Sequence, residues 1–305
     1  MKTWSRFRES YFLYSFVRDP VALGSFGVLT VLVVAAFMSP IIAPYDPYNP
    51  ATIDIMDART PPSWSTGGDG RFFLGTDAQG RDILSTMLYG TRVSIIIGFG
   101  ATLLQATIGI IIGLTAGYFG RRIDSFLMRT ADVQLSFSTY MVAIFLGAIF
   151  QTAFGMTRYE TFAIPFLITV IGLAEWPKYA RTVRASVLAE KKKEYVEAAK
   201  VIGLGPTRIM WRHILPNTLT PVLVISTLQV ASCIMSEAAL SFIGLGMPPT
   251  RPSLGSLIKA GFEFFLSGQW WITLFPGALL VVLIVAINLF GDWLRDFLNP
   301  RLYRG

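Results

Sequence analysis

Histidine and cysteine, which often carry catalysis or bind metal ions, each occur once in this 305-residue chain. A single histidine, His213, excludes a site built from several histidines, and no His-Glu-x-x-His motif or pair of intramembrane aspartates is present. Cys233 lies in an apolar run, and we interpret it as a packing residue. The sequence also lacks the Gly-Lys pair of a phosphate-binding loop. It therefore predicts no catalytic residue, no metal site and no cofactor in this chain.

Glu237 lies near the end of a long apolar run, where an ionised group is costly and often functional. One interpretation is that its carboxylate faces a transport path. The other is that it pairs with Arg251 or Lys259 in the loop that follows. The residues alone leave both open.

Two further acidic residues lie at the edges of apolar runs, and for these we expect structural roles. Asp132 would favour a helix N-terminus or pair with a nearby arginine, and Glu175 would form an ion pair with Lys178 or Arg181. The arginines near Asp132 are Arg121, Arg122 and Arg129.

The most informative polar segment is 194–217, which has the signals of two short helices. The first has good helix formers and is expected to end at Gly203 or Gly205, which suit a left-handed turn. Pro206 fits the first position of the second helix, and Pro216 is expected to close it. We call this predicted helix–turn–helix the elbow.

The elbow has a surface that suits a partner. Ala198 and Ala199 leave it shallow, and Ile209, Met210 and Trp211 add apolar bulk. It would insert into a groove on another protein. Alternatively, its basic composition would let it lie on lipid headgroups.

Composition indicates the elements that hold these residues. Hydrophobic residues make up 53% of the chain and charged residues only 15%, and the apolar residues form long runs. The sequence therefore predicts an all-α membrane protein with about six transmembrane helices. The six predicted spans are residues 21–42, 93–116, 131–150, 161–176, 219–240 and 272–290.

The distribution of basic residues predicts the orientation. With the N-terminus in the cytoplasm, the inner segments 1–20, 117–130, 177–218 and 291–305 hold 19 of the 26 lysines and arginines. This bias accounts for the net charge of +7 without a nucleic-acid partner. It places both termini in the cytoplasm and residues 43–92 outside.

Three glycines in the second span and at its inner end, Gly109, Gly113 and Gly117, lie four residues apart. That spacing lines one helix face with hydrogen atoms and lets a neighbouring helix approach closely. The close packing would either belong to a seam in a pore-forming bundle or have no role in transport.

The elbow resembles the cytoplasmic signature of permease subunits in binding-protein-dependent ABC importers. That signature has Glu-Ala-Ala, a glycine and a later Leu-Pro. In this chain it falls on Glu197, Ala198, Ala199, Gly203, Leu215 and Pro216. His213 stands where the general pattern has isoleucine, a variation similar to that of the peptide and nickel branch.

Three other stretches resemble the same branch, in the order of its second, C-type permease. They are 74–82 (LGTDAQGRD), 236–246 (SEAALSFIGLG) and 288–296 (NLFGDWLRD). One departure is the run 137–139 (FST), where relatives commonly have a proline after the phenylalanine. It leaves the local shape of the third span open.

The resemblance implies partners and a mechanism. We expect a second, similar permease, two ATP-binding subunits or domains that carry ATP and Mg²⁺, an external substrate-binding protein and the bacterial cytoplasmic membrane. The elbow would dock on an ATPase subunit, with Glu197 making a polar contact and Gly203 supplying the bend.

The expected function is alternating-access import of dipeptides or oligopeptides by a non-catalytic subunit. Nickel chelates or another small solute are the alternative substrates. A transporter that works alone and an intramembrane enzyme are remote alternatives. We divide the chain into residues 1–92, with the tail, first span and outer loop, and a permease domain, 93–305, whose coupling loop is 177–218.

Overall fold

The computed structural model of the chain describes residues 11–49 and 53–298. Within those ranges the regular structure is helical, apart from an isolated bridge between Thr76 and Asp82. The predicted all-α membrane class is confirmed.

Twelve α-helices follow one another in the described part of the chain. They are α1 (Tyr11–Arg18), α2 (Pro20–Phe37), α3 (Ser39–Ile42), α4 (Ile83–Phe119), α5 (Arg121–Ser136), α6 (Thr139–Phe154), α7 (Met156–Glu190), α8 (Glu194–Val201), α9 (Pro206–Ile209), α10 (Leu215–Ile243), α11 (Leu254–Phe265) and α12 (Trp271–Leu298). A 3-10 turn spans Ile55–Asp57, and a π turn, Met210–Ile214, joins α9 to α10.

Five helical segments of the described chain are long and apolar enough to cross a membrane. They contain the predicted spans 1, 2, 4, 5 and 6, although the first ends earlier, at Phe37, before the short α3. In the fifth, α9, the π turn and α10 form one segment, Pro206–Ile243.

The third predicted span, 131–150, is wrong as a straight helix. It is divided between α5 and α6, whose axes differ by 83°. Phe137 and Ser138 have extended backbone conformations, and the Ser136 hydroxyl bonds to the Val133 carbonyl oxygen at 2.6 Å. Hydroxyl side chains compete with helical hydrogen bonds, so this short polar run interrupts the helix.

The bent pair α5–α6 makes one crossing between the ends of two parallel helices. Gly100 of α4 faces Ile168 of α7, and Gly117 faces Val187, so α4 and α7 run in the same direction. The connection between them must return to the starting side. The pair α5–α6 runs antiparallel to α7: Asp124 of α5 pairs with Arg184 near the end of α7, and Phe150 of α6 contacts Phe166 near its start.

Six crossings therefore alternate in direction, and the two described ends lie on the same side. The ring contact between Phe16 and Trp293, with centroids 5.0 Å apart, brings those ends together.

Several helices extend beyond their predicted bounds, and α4 and α7 extend furthest into what the sequence suggested were loops. α4 begins at Ile83, where the Asp82 carboxylate accepts a hydrogen bond from the Ser85 N–H at 2.8 Å. Burial raises the pKa of Asp82. α7 continues to Glu190, so the inner loop begins at residue 191 rather than 177. The division of the chain at residue 92 stays a prediction, and that boundary lies inside α4.

The outer loop is held to the helices by buried polar contacts. Arg81 forms a buried ion pair with Asp77 at 2.7 Å and donates to the Pro249 carbonyl oxygen at 2.8 Å. The Trp271 indole donates to the Thr76 carbonyl oxygen at 3.4 Å. The segment 74–82 therefore fixes the loop after α10 and the start of α12.

Candidate functional site

The elbow begins with α8 and turns at Gly203, one of the two glycines at which the sequence predicted this turn. Gly203 has φ +83°, a left-handed conformation that favours glycine. The Leu204 N–H donates to the Ala199 carbonyl oxygen and the Gly203 N–H to that of Lys200, at 3.1 and 2.9 Å. This pair of bonds is the Schellman motif, and Pro206 then begins α9 as predicted.

One face of the elbow is buried by the chain itself. Val196 and Ala199 of α8 and Ile209 and Met210 pack in one cluster with Val187 of α7. The prediction that Ile209 and Met210 supply bulk to a partner is therefore wrong. The reason is the extra length of α7, which provides an apolar surface beyond the predicted end of the fourth span.

The opposite face of the elbow is exposed. Val201 and Ile202 are 87% and 76% exposed, and Trp211 is 48% exposed. Glu197 and Ala198 share this outer side, where the Glu197 carboxylate pairs with Lys200 at 2.7 Å. Sequence reasoning did not single out Val201 and Ile202 as exposed apolar residues. Helical periodicity places Val201 away from the face that contains Val196 and Ala199, whereas Ile202 is the C-cap residue of α8 and its exposure is seen only in the structure.

The end of the elbow differs from the prediction. Pro216 does not close a helix; it is the second residue of α10, and the helix continues through it. The Leu215 N–H donates to the Met210 carbonyl oxygen, a π-type bond that widens the turn before a residue that cannot donate. Leu215 packs inward against the elbow cluster, and Pro216 is exposed.

Polar contacts tie the elbow to the end of α7. Glu190 accepts bonds from Lys193 at 2.6 Å and from the Tyr195 hydroxyl at 2.5 Å. The Asn217 amide donates to the Tyr195 hydroxyl at 3.0 Å. Burial, followed by the bond to Glu190, raises the pKa of Tyr195. α7, α8 and α10 are therefore joined through one hydroxyl group.

The three glycines of α4 form a close seam with α7. A Cβ atom on Gly109 would overlap Tyr179, and one on Gly113 would lie 2.5 Å from the Ala180 carbonyl oxygen. A Cβ on Gly117 would lie 2.7 Å from Val187 Cβ. The seam thus ends at the side chain that also supports the elbow. Its role in transport stays a prediction.

Glu237 is fully buried where α10 crosses α4. Its carboxylate accepts bonds from Ser94 at 2.9 Å and Ser241 at 2.7 Å, and Ser241 in turn accepts one from Ser253 at 3.2 Å. The expected alternative, an ion pair with Arg251 or Lys259, is absent from the described residues. A role in the path stays a prediction.

A second polar crossing, which sequence reasoning missed, lies deeper between α4, α7 and α10. The Gln229 amide donates to Gln105 at 3.1 Å, and Gln105 reaches the Cys233 sulfur at 3.1 Å and the Ile171 carbonyl oxygen at 3.3 Å. Cys233 is buried, in agreement with its predicted packing role.

The other two acidic residues form ion pairs. Asp132 does not favour a helix N-terminus, the first of its two expected roles, because it lies in the second half of α5. Asp132 pairs with Arg181 at 2.5 Å, and not with the arginines of its own helix. Glu175 pairs with Lys178 as predicted and also accepts a bond from the Thr139 hydroxyl at 3.0 Å. Both contacts hold the bent pair α5–α6 against α7.

Comparison with known proteins gives two family matches. Residues 109–304 match the family described as binding-protein-dependent transport system inner membrane component. Residues 3–62 match the N-terminal TM domain of oligopeptide transport permease C.

The chain is also similar to named relatives and to solved structures. The di/tripeptide transport system permease protein DppC of Pseudomonas aeruginosa (strain UCBPP-PA14) is 35% identical over 291 residues, which cover 95% of this chain and 91% of the relative. The dipeptide transport system permease protein DppC of Haemophilus influenzae is 36% identical and covers 90% of each chain. An inward facing conformation of the MetNI methionine ABC transporter matches the fold with a TM-score of 0.56 at 17% identity, over 71% of this chain and 98% of that one.

Proposed function

This chain belongs to the family of binding-protein-dependent transport system inner membrane components, and from that premise we propose that it forms part of a path for short peptides. It is a multi-pass permease subunit of an ABC importer, in which separate subunits use ATP. Short peptides are the proposed substrate because relatives that match over nine tenths of their length are named for dipeptides and tripeptides. Nickel chelates or another small solute remain the second candidate.

The observation that carries the mechanism is the exposed side of the elbow, with Val201 and Ile202 at its tip. Two large apolar side chains beside Glu197 and Ala198 suit a groove on an ATP-hydrolysing subunit. The opposite side of the elbow packs on α7, so motion of the docked face would move the membrane helices.

The proposed assembly contains a second, similar permease, two ATP-binding subunits or domains and an external binding protein. Six crossings are few for a closed path that opens alternately to each side, which supports a second permease. Glu237 is proposed to act near this path through the α4–α10 crossing that it holds.

The elbow and both termini are proposed to face the cytoplasm, as the distribution of basic residues favours. Single cysteines at Ile202 and Ser65, in a Cys233→Ser background, test this orientation with a membrane-impermeant maleimide. Intact spheroplasts should label position 65 and spare position 202. The reverse pattern would invert the proposal.

Uptake in proteoliposomes tests the function. We expect the chain, combined with its companion permease, ATPase subunits and binding protein, to accumulate labelled dialanine only when ATP is present. Accumulation by this chain alone, or transport of other solutes but no peptide, would contradict the proposal.

A further inference from the structure

On the side opposite the elbow, the structure contains a cavity of about 260 Å³. It lies between the loop after α10 and helix α11, and α6, α7 and the outer loop complete its wall. Its polar lining includes Gln79, Arg81, Gln151, Tyr159, Lys259 and Glu263. The volume is slightly below the range usual for drug-sized ligands, so a smaller molecule suits it.

Two of these polar groups are used by the protein itself. Arg81 is committed to Asp77 and to the Pro249 carbonyl oxygen. The Tyr159 hydroxyl lies 2.9 Å from the carbonyl oxygens of Leu245 and Gly246. These contacts stabilise the wall of the cavity and leave neither group free to bind a ligand.

Lys259 and Glu263 differ from that pattern. Across residues 11–49 and 53–298, Lys259 forms no ion pair or hydrogen bond, and neither does Glu263. They lie four residues apart on α11, a spacing at which opposite charges often pair, yet both line the cavity unpaired. Lys259 is half-buried. A partly desolvated cation without an anion favours binding of one from outside.

We propose that this cavity binds a free dipeptide, with the α-carboxylate at Lys259 and the α-ammonium at Glu263. Side chains four residues apart on a helix are separated by about 5–6 Å at Cβ. The charged ends of a dipeptide are separated by roughly the length of two extended residues, about 7 Å. The two side chains need to spread only slightly from their Cβ spacing to reach both ends of a dipeptide, whereas a longer extended peptide would require a wider spread. The inference rests on the proposed peptide transport and adds a recognition site to it.

Direct binding to the transporter complex, purified without its external binding protein, tests the site. Saturation-transfer NMR would compare dialanine with alanyl-alaninamide and N-acetyl-dialanine, which each lack one charge. Lys259→Met should weaken dialanine binding about tenfold or more and abolish the preference for dialanine over the amide. Glu263→Gln should abolish the preference over the acetylated peptide, and Lys259→Arg should retain wild-type behaviour.

Arg251→Gln is the matched control, because Arg251 is an exposed cation of the same outer region outside the cavity lining. It should leave dialanine binding unchanged. Equal dialanine binding by wild type, Lys259→Met and Glu263→Gln would overturn the site. So would loss of a tightly bound phospholipid in Lys259→Met with peptide binding intact. If the complete importer takes up dialanine in these cases, the proposed function survives; if it takes up none, both proposals fail.

Discussion

Gly117 of α4 lies so close to Val187 of α7 that a Cβ atom on the glycine would come 2.7 Å from Val187 Cβ. Val187 also belongs to the cluster that buries Val196 and Ala199 of the elbow. One side chain therefore touches both the α4–α7 seam and the elbow, which links helix packing to the position of the docking face.

Adding a methyl group to the seam should destabilise the protein. Gly113→Ala would place Cβ 2.5 Å from the Ala180 carbonyl oxygen, and overpacking of this kind usually costs about 1–3 kcal/mol. Thermal unfolding of the detergent-purified complex would measure the effect. Gly277→Ala is the control, because nothing lies within 4 Å of its added methyl group. Equal melting temperatures for the two variants would show that α4 and α7 are not closely packed.

A charge at the tip of the elbow should release the ATPase. Ile202→Asp would place a carboxylate in the apolar contact, and loss of a dominant interface residue typically costs at least about 2 kcal/mol, roughly 30-fold in affinity. Co-purification of ATPase subunits with the tagged chain measures this loss. Met56→Asp changes an apolar residue of the outer loop that is at least as exposed as Ile202, and it should leave the yield unchanged. Undiminished recovery with Ile202→Asp would move the docking face elsewhere.

Two substitutions at Gly203 test whether its left-handed backbone conformation matters for coupling. Gly203→Val forces a β-branched residue to φ +83°, whereas Gly203→Asn places there a residue that tolerates this conformation better. We expect valine to uncouple ATP hydrolysis from uptake and asparagine to preserve most coupling. The ratio of ATP hydrolysed to dialanine accumulated is the measurement.

Gly205→Val serves as the control for the turn, since Gly205 has φ −64° and a Cβ atom added there meets no atom within 4 Å. Valine at 205 that uncouples as strongly as valine at 203 would assign the effect to bulk on the surface, and not to the left-handed turn.

Glu237 should be more tolerant of glutamine than of alanine if its role is to hold helices together. Glutamine keeps an acceptor for Ser94 or Ser241, whereas alanine leaves both buried hydroxyls without their acceptor, at about 1–3 kcal/mol each. Thermal unfolding should rank wild type and Glu237→Gln well above Glu237→Ala. A stable Glu237→Gln variant with strongly reduced uptake would instead indicate a direct role in the path.

The sequence predicted the parts of the fold that lipid imposes. Four of its six spans lie within single helical segments, and the first is interrupted only at Met38, because a long apolar run in hydrocarbon has only the helix to satisfy its backbone. It did not predict the bend at Phe137 and Ser138. The mean hydropathy of the segment is high, and this hides the hydroxyl side chains that interrupt the helix. It also missed the length of α7 beyond Trp176, since charged residues on a helix that leaves the membrane resemble a loop.

The position of the elbow in the chain was predicted, but the directions that its side chains face were predicted only in part. Gly203 and Glu197 lie where the motif suggested, yet Ala199 and Leu215 face inward. Which face of a short helix is free depends on what packs against it, and α7 supplies that surface from outside the motif. The sequence also did not single out Lys259 and Glu263. Their four-residue spacing suggests a mutual ion pair, and only the structure shows that both line a cavity without pairing.

The π turn at Met210–Ile214 sets the rotation of α10 about its own axis. A π turn holds one residue more than an α turn, and each residue of an α-helix advances it by about 100°. Conversion of this single wide turn to ordinary α geometry would rotate α10 by about that angle and swing Gln229, Cys233 and Glu237 away from the partners they now face on α4. Five residues at the water boundary thus determine which side of a 29-residue helix the rest of the bundle sees.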